Sequence, residues 1–426
     1  MPPIGIHDLS VATTHYALDL RELAAHTGVD VDKYRLGLGQ ETMSVPAIDE
    51  DIVTMAATAA RPIIDRHGAD RIRTVLVATE SGVDQAKAAG LYLHPLIGLP
   101  ATARVVELKQ ACYSGAAGLQ FAAALCAREP DQAVLVIATD IARYDLDTPA
   151  EPTQGAAAAA ILVTADPAIA ELEPVSGIFS ADVTDFWRPN YRSTAVVDGK
   201  LSITAYLAAA ASAFTDYRRR GGRGFDDFAA VCYHQPFTQM AYKAHRHLLE
   251  GRGRAPATAA LDSVLAATTH YNRVIGNSYT ASLYLALASL LDHTPDLTDR
   301  PIALLSYGSG AVAEFFSATP APGYHQHLRT QAHHDALAQR KPLTYDHYRT
   351  LHRTQTPTDG AHHTLPEDTN APFRLAAITS HKRIYKTRQP NELRSRLSHF
   401  SQTRGVRPGC DGSGGGFGGS ACGGMR

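Results

Sequence analysis

The sequence predicts an α/β protein built from two similar series of βα units, and three observations carry that expectation. Helix-like and strand-like stretches alternate along the chain, which is the pattern of an α/β sheet. The alternation is run through twice, each time with an ionisable residue closing an apolar strand and a small-residue helix following later. A length of 426 residues, with 45% hydrophobic and 19% charged content, suffices to bury a large core.

In the first series, DIVTMAATAARPIIDRHG reads as a helix leading to the strand RIRTVLVATE, and the Ala-rich YSGAAGLQFAAALCARE as a helix leading to the strand QAVLVIATD. In the second, FAAVCYH is a strand running into the helix PFTQMAYKAHRHLLEG. The helix SYTASLYLALASLLD and the strand pair PIALLSYGSGAVAEFFS follow. Glu80 and His234 end equivalent strands, while Cys112 and Asn277 stand where equivalent helices open. The likeness is one of whole βα units, with little identity letter by letter. It divides the chain into halves, 1–170 with Glu80 and Cys112 and 171–388 with His234 and Asn277, and would bring both sets of residues to one junction.

The stretch from Val175 to Ser202, containing DVTDFWRPNY, reads as a long connection that walls a pocket, or equally as packing. Beyond it, residues 389–426 change character: RSRLSHFSQTRGVRPGC is basic and polar and DGSGGGFGGSACGGMR is glycine-rich, so this tail is expected to be disordered.

A formal net charge of -2 offers no general attraction to nucleic acid or acidic lipid. No apolar run reaches the roughly 18 residues a membrane span needs, and MPPIGIHDLS has no signal-peptide pattern; a cytoplasmic protein is expected. Cys112, Cys126, Cys232, Cys410 and Cys422 lie far apart without CxxC pairing, which points to neither a disulfide framework nor a metal site. The histidines show no H-E-x-x-H spacing, and neither G-x-G-x-x-G nor a Walker motif occurs.

Cys112 sits where VELKQACYSGAAGLQFA turns into a helix. There the helix dipole and free N–H groups favour thiolate and can hold an oxyanion. By itself the same context suits a buried small hydrophobe equally well, the reading given to Cys126 and Cys232. Glu80 ends the apolar strand VLVAT, where desolvation raises a carboxyl toward acid/base work, although alone it reads better as a cap or surface residue. His234 alone reads better as a structural histidine. Their shared address at strand and helix ends is what raises all three.

At this point the sequence resembles the bacterial 3-hydroxy-3-methylglutaryl-CoA synthases. ATESGVDQAKA, VELKQACYSGAAGLQFA, EPTQGAAAAAILV, DFWRPNY, YHQPFTQMAYK, VIGNSYTASLYLALASLL and LSYGSGAVAEFFS occur in order, and the likeness runs from GIHDLS to Lys386. The resemblance implies a thiolase-like fold, layered α-β-α-β-α, and a homodimer. It also implies condensation of acetyl-CoA with acetoacetyl-CoA in the mevalonate pathway, with CoA thioesters as substrates and no other cofactor. Cys112 would carry the acetyl group, Glu80 would remove its methyl proton, and His234 would serve the C3 carbonyl of acetoacetyl-CoA. Asn277 and Ser309 would hold the acyl chain or its carbonyl; Tyr144, Thr153 and Ser202 would lie near the acyl group and pantetheine arm. Lys243 would meet CoA, and the Asp30 to Tyr34 segment, with Val31, would line its entrance. Gln239 stands where many relatives carry a second lysine, so one contact to the CoA phosphates would be missing.

Polyketide β-branching synthases share the three catalytic residues but take acyl groups from carrier proteins, and the active-site motifs do not separate the two. Blocks outside the site, such as VPAIDEDIVTMAATAARPII, look closer to the CoA enzymes.

Overall fold

The computed structural model describes residues 2–254 and 257–388; the tail expected to be disordered, with Cys410 and Cys422, lies outside them. Among the described residues the main sheet has nine strands, in the order Ala230–Tyr233, Ile302–Gly308, Val312–Pro320, Ala170–Ser180, Ile4–Thr13, Gly155–Ala165, Ala133–Ala142, Ile72–Ala78 and Arg104–Leu108. The two halves meet at its centre, where Gly5 and Ile6 pair antiparallel with Glu171 and Ala170.

Read outward from that joint, each half repeats one pairing pattern. Ile4–Thr13 is antiparallel to Gly155–Ala165, that strand is antiparallel to Ala133–Ala142, and the next pairing, to Ile72–Ala78, is parallel. Likewise Ala170–Ser180 is antiparallel to Val312–Pro320, which is antiparallel to Ile302–Gly308, which is parallel to Ala230–Tyr233. The repeat read from whole βα units is therefore a repeat of strand topology.

Strand periodicity then sorts side chains into layers, because successive residues point to opposite faces. In the first half Val134, Val136 and Ala138 face a central core, while Ala133, Leu135 and Ile137 face an outer one containing helices Ile52–His67 and Ala89–Ile97. In the second half Ala230, Cys232, Ile302 and Leu304 face the same central core. Val231, Tyr233, Ala303 and Leu305 face an outer core with helices Gly199–Arg219 and Gln239–Glu250. Helices Ser114–Arg128 and Ser282–His293 fill the centre. The result is the five-layered α-β-α-β-α arrangement of the thiolase-like fold.

Two central strands escaped the reading of the sequence. Ile4–Thr13 was not distinguished as a strand, and GAAAAAILVTA of Gly155–Ala165 has alanines that favour helix intrinsically. Both faces of the latter are buried, and small side chains fit between two packed helix layers. The stretch Val175 to Ser202 is also less of an insertion than expected. Val175 to Ser180 completes strand Ala170–Ser180 and Gly199 to Ser202 opens helix Gly199–Arg219, leaving only the segment between as a wall.

Candidate active site

Close approaches at two glycines bring the functional loops together. A Cβ on Gly155 would stand 2.4 Å from the Ile275 carbonyl oxygen and 2.8 Å from that of Asn277. One on Gly308 would lie 2.6 Å from the Gln110 carbonyl oxygen and 2.7 Å from Tyr113. Only a residue without a side chain lets the Asn277 loop seat on strand Gly155–Ala165, and the Ser309 loop on the turn before Cys112.

Cys112 lies in that turn, two residues before helix Ser114–Arg128, and follows Ala111, whose φ of 44° is strained for a non-glycine residue. Its thiol donates to Glu80 Oε1 at 3.0 Å. The helix end was expected to favour thiolate; instead burial first, and then the negative charge of Glu80, push the thiol well up. A neighbouring carboxylate outweighs the partial charge of a helix end.

Glu80 follows strand Ile72–Ala78 and is pushed up to about 8, chiefly by burial and next by the charge of Asp140. Asp140 anchors the loop. Its Oδ1 accepts from Thr79 Oγ1 at 2.8 Å and from the Glu80 and Ser81 N–H groups, each at 2.9 Å. Its Oδ2 accepts from Thr280 Oγ1 at 2.5 Å and Thr280 N–H at 3.1 Å. One buried carboxylate thus ties the Glu80 loop to the segment after Asn277. Arg188 Nη2 donates to the Glu80 carbonyl oxygen at 2.6 Å, so this cation meets the backbone and leaves the carboxylate to the thiol.

His234 directly follows strand Ala230–Tyr233 and is anchored at both backbone groups, its N–H to Leu305 O at 2.9 Å and its carbonyl to the Tyr206 hydroxyl at 2.8 Å. Burial brings its imidazole down to about 3, so it is neutral at physiological pH, and Nδ1 has no hydrogen-bond partner among the described residues. The Tyr206 ring stacks on it at 6.3 Å and 23°. The Tyr206 ring also packs on Tyr307, with ring centroids 4.8 Å apart, so the His234 corner reaches the end of strand Ile302–Gly308.

Asn277 completes the centre. Its N–H donates to Thr153 O at 2.9 Å, its Oδ1 accepts from Tyr279 N–H at 2.9 Å, and its Nδ2 donates to the Tyr144 hydroxyl at 3.2 Å. Tyr144, Phe186 and Tyr279 form a small apolar cluster against Cys112. The Thr153 hydroxyl turns back to Ala150 O at 2.7 Å. Ser309 accepts from Gln110 Nε2 through its carbonyl at 3.2 Å. Ser202 lies four residues before Tyr206 on helix Gly199–Arg219 and so shares its face.

Asp30, Val31 and Lys243 lie on two other elements, and Lys243 Nζ stands 5.3 Å from the centre of the Phe237 ring. The turn at Asp30 and Val31 precedes Gly39, whose added Cβ would meet Thr238 at 2.9 Å, and Thr238 immediately precedes helix Gln239–Glu250, which carries Gln239 and Lys243.

Sequence reasoning missed Asp140, Tyr206 and Thr280. Asp140 carried the signal that singled out Glu80, a carboxylate closing the apolar run QAVLVIATD. Nothing in the small-residue helix around Tyr206 distinguishes it. Among the described residues no cluster of three or more His, Cys, Asp or Glu is arranged to hold a metal ion, and no helix is long and apolar enough to cross a membrane.

A thiol at a helix start bonded to a strand-end carboxylate, in a thiolase-like fold whose second half ends an equivalent strand in a neutral histidine, defines an acyltransferase of the condensing type. The hydroxymethylglutaryl-coenzyme A synthase N-terminal model matches residues 2–168 and the C-terminal model residues 171–264 and 255–359. The chain is 39% identical to the hydroxymethylglutaryl-CoA synthase of Enterococcus faecalis over 90% of its own length and 99% of that protein. It is 33% identical to the polyketide 3-hydroxy-3-methylglutaryl-ACP synthase PksG of Bacillus subtilis, over 82% of this chain and 88% of that one. A solved HMG-CoA synthase complexed with CoA superposes with a TM-score of 0.86 at 38% identity, covering 91% of this chain and all of the other. The chain belongs to the hydroxymethylglutaryl-CoA synthase family.

Proposed function

We propose that this chain condenses acetyl-CoA with acetoacetyl-CoA and water to give 3-hydroxy-3-methylglutaryl-CoA and CoA, in the mevalonate route, through an acetyl-Cys112 intermediate. The observation that carries the reading is the 3.0 Å contact from Cys112 Sγ to Glu80 Oε1. It gives the weakly acidic thiol a base at the distance proton transfer needs.

In the first step the thiol passes its proton to Glu80 as sulfur attacks the acetyl-CoA carbonyl; CoA leaves and takes up a proton. N–H groups at the start of helix Ser114–Arg128 would hold the transient oxyanion. Glu80, ionised, then takes a proton from the acetyl methyl group, and the enolate attacks C3 of acetoacetyl-CoA. Neutral His234 would donate its N–H as a hydrogen bond to that carbonyl and to the alkoxide that develops, which takes up the proton Glu80 removed from the methyl group. Water cleaves the remaining thioester and frees Cys112. The Tyr144 hydroxyl, accepting from Asn277 Nδ2, keeps its own O–H for the acyl carbonyl; Thr153, Ser202 and Ser309 would line the acyl and pantetheine path. Asp30, Val31 and Lys243 would form the CoA entrance, with Gln239 offering no charge to the phosphates.

The reading extends to a cytoplasmic homodimer of two similar halves, meeting at residue 170, that needs no metal or further cofactor. In support of self-association, edge strand Arg104–Leu108 leaves Val106 exposed, and Phe121 on the adjoining helix is 53% exposed, a surface suited to a second copy.

The test is intact-mass spectrometry after incubation with acetyl-CoA, followed by acetoacetyl-CoA and a product assay. Acetylated Cys112 and then hydroxymethylglutaryl-CoA are expected. Glu80→Ala should acetylate Cys112 only slowly, having lost the base that takes the thiol proton, and should not condense; Cys112→Ser should do neither. Labelling only from an acetylated carrier protein would favour a polyketide substrate, and no label from either donor would overturn the reading.

A further inference from the structure

We infer that His352 and Gln154 are positioning residues for Tyr144, and that helix Tyr345–Arg353, far along the chain from every catalytic candidate, clamps the loop carrying the acyl-site tyrosine. The inference rests on the proposed place of Tyr144 beside the acyl group.

Both backbone polar groups of Tyr144 are taken by side chains. Its N–H donates to Gln154 Oε1 at 2.9 Å, and its carbonyl accepts from His352 Nε2 at 2.9 Å. His352 Nε2 also lies 3.2 Å from Gln154 Oε1. Since both partners of that nitrogen are acceptors, the ring must carry its proton on Nε2. Burial, then the charge of Arg143, brings the imidazole down to about 4, so the neutral form with a single N–H prevails near pH 7.

The clamp continues from there. Gln154 Nε2 donates to the Tyr348 hydroxyl at 2.7 Å, which donates to Glu151 Oε1 at 2.8 Å; Glu151 Oε2 accepts from Asp147 N–H at 2.6 Å. Arg349 grips Asp147 with both guanidinium nitrogens at 2.7 and 3.0 Å, and the Arg143 guanidinium donates to the His352 carbonyl. The loop from Arg143 to Gln154 is thereby closed on one helix at its start, middle and end. What it presents inward is the Tyr144 ring against Cys112 and the Thr153 carbonyl that receives Asn277 N–H. Positioning of this kind sustains transition-state geometry without touching substrate.

The experiment is a double-variant cycle on the full chain. It uses His352→Leu, Tyr144→Phe and the pair, with kcat and KM for both thioesters, melting temperature, and kcat expressed per Cys112 that acetyl-CoA can acetylate. His352→Leu is expected to lower kcat roughly tenfold, the effect of one lost buried hydrogen bond to the loop, with KM changed less than about twofold. Because it acts through Tyr144, the double variant should be no slower than Tyr144→Phe alone. His352→Gln, whose amide N–H can reach the same carbonyl, should recover most of the rate. Tyr348→Phe, which keeps the ring and removes only the hydroxyl, should show a smaller loss of the same kind and serves if His352→Leu does not fold. Additive losses, an unchanged kcat in both His352→Leu and Tyr348→Phe, or a glutamine no better than leucine would overturn the inference. If the unaltered chain does not acetylate Cys112 from acetyl-CoA, it is the proposed function that has failed.

Discussion

Two carboxylates in the first half of the chain, Asp8 fully buried and Glu80 half-buried, face opposite fates. Asp8, on strand Ile4–Thr13, is surrounded by two cations and an imidazole: Arg329 at 2.6 and 2.9 Å, Arg66 at 3.2 Å and His67 at 2.8 Å. Burial alone would raise its carboxyl, but hydrogen bonds and charge from Arg329, then His67 and Arg66, leave it below the ordinary carboxylate range. Glu80 meets a thiol, a second carboxylate across the loop and one cation, Arg188, that is spent on its backbone carbonyl, so burial wins and its carboxyl rises to about 8. The difference teaches what each is for. A buried acid with its charge matched fastens segments together, here the strand, helix Ile52–His67 and the chain before helix Thr330–Ala338. A buried acid left unmatched is held ready to exchange a proton.

The largest test of that contrast is Glu80→Gln. It should lower kcat for condensation by about 10²–10⁴-fold, the usual worth of a general base, while Cys112 still acetylates, more slowly than in the unaltered chain because the thiol has lost its proton acceptor. The melting temperature should not fall, because an unmatched buried charge contributes nothing favourable to the fold; a clear loss of stability would show Glu80 to be structural. Asp8→Asn should do the reverse. Denaturant titration should show about 3 kcal/mol of stability lost, since buried Arg329 is left without its anion, with kcat per folded molecule unchanged.

Acidity separates the two sites more finely. Glu80 works ionised, so kcat/KM should climb as pH rises toward about 8. The depressed carboxyl of Asp8 contributes stability at all pH values above its unfolded value of about 3.9, and this is lost only as pH falls through the lower folded value. A sample at pH 5.5 should therefore be folded and slow; coincident loss of fold and activity would break the distinction. The smallest shift in the rate profile is expected for Asp140→Asn, which also gives up one side of the loop anchor and should lower the melting temperature. Removing the like charge beside Glu80 should move the acid limb of the rate profile to lower pH, by up to about one unit.

Much of this site was legible in the sequence because its signals are local. An apolar run ending in Glu80 or His234, and a small-residue helix opening after Cys112, are patterns of a few neighbouring residues, and the structure has each element where its pattern lies. What failed was also local in cause. GAAAAAILVTA carries a helical propensity that only burial on both faces overrides, and Tyr206 looks like any aromatic on an amphipathic helix until its ring is found against His234.

By itself the sequence determined the two-series α/β plan, since periodicity is written in adjacent positions, and it singled out Cys112, Glu80 and His234 as candidates whose roles the resemblance to a known family then supplied. Only the tertiary structure decided their state. The thiol of Cys112 is the donor, Glu80 is raised and His234 is neutral, and Asp140 and His352, tens to hundreds of positions away, hold the loops around them. Proton affinity depends on burial and on charges close in space, and those are set by which distant segments the fold brings side by side.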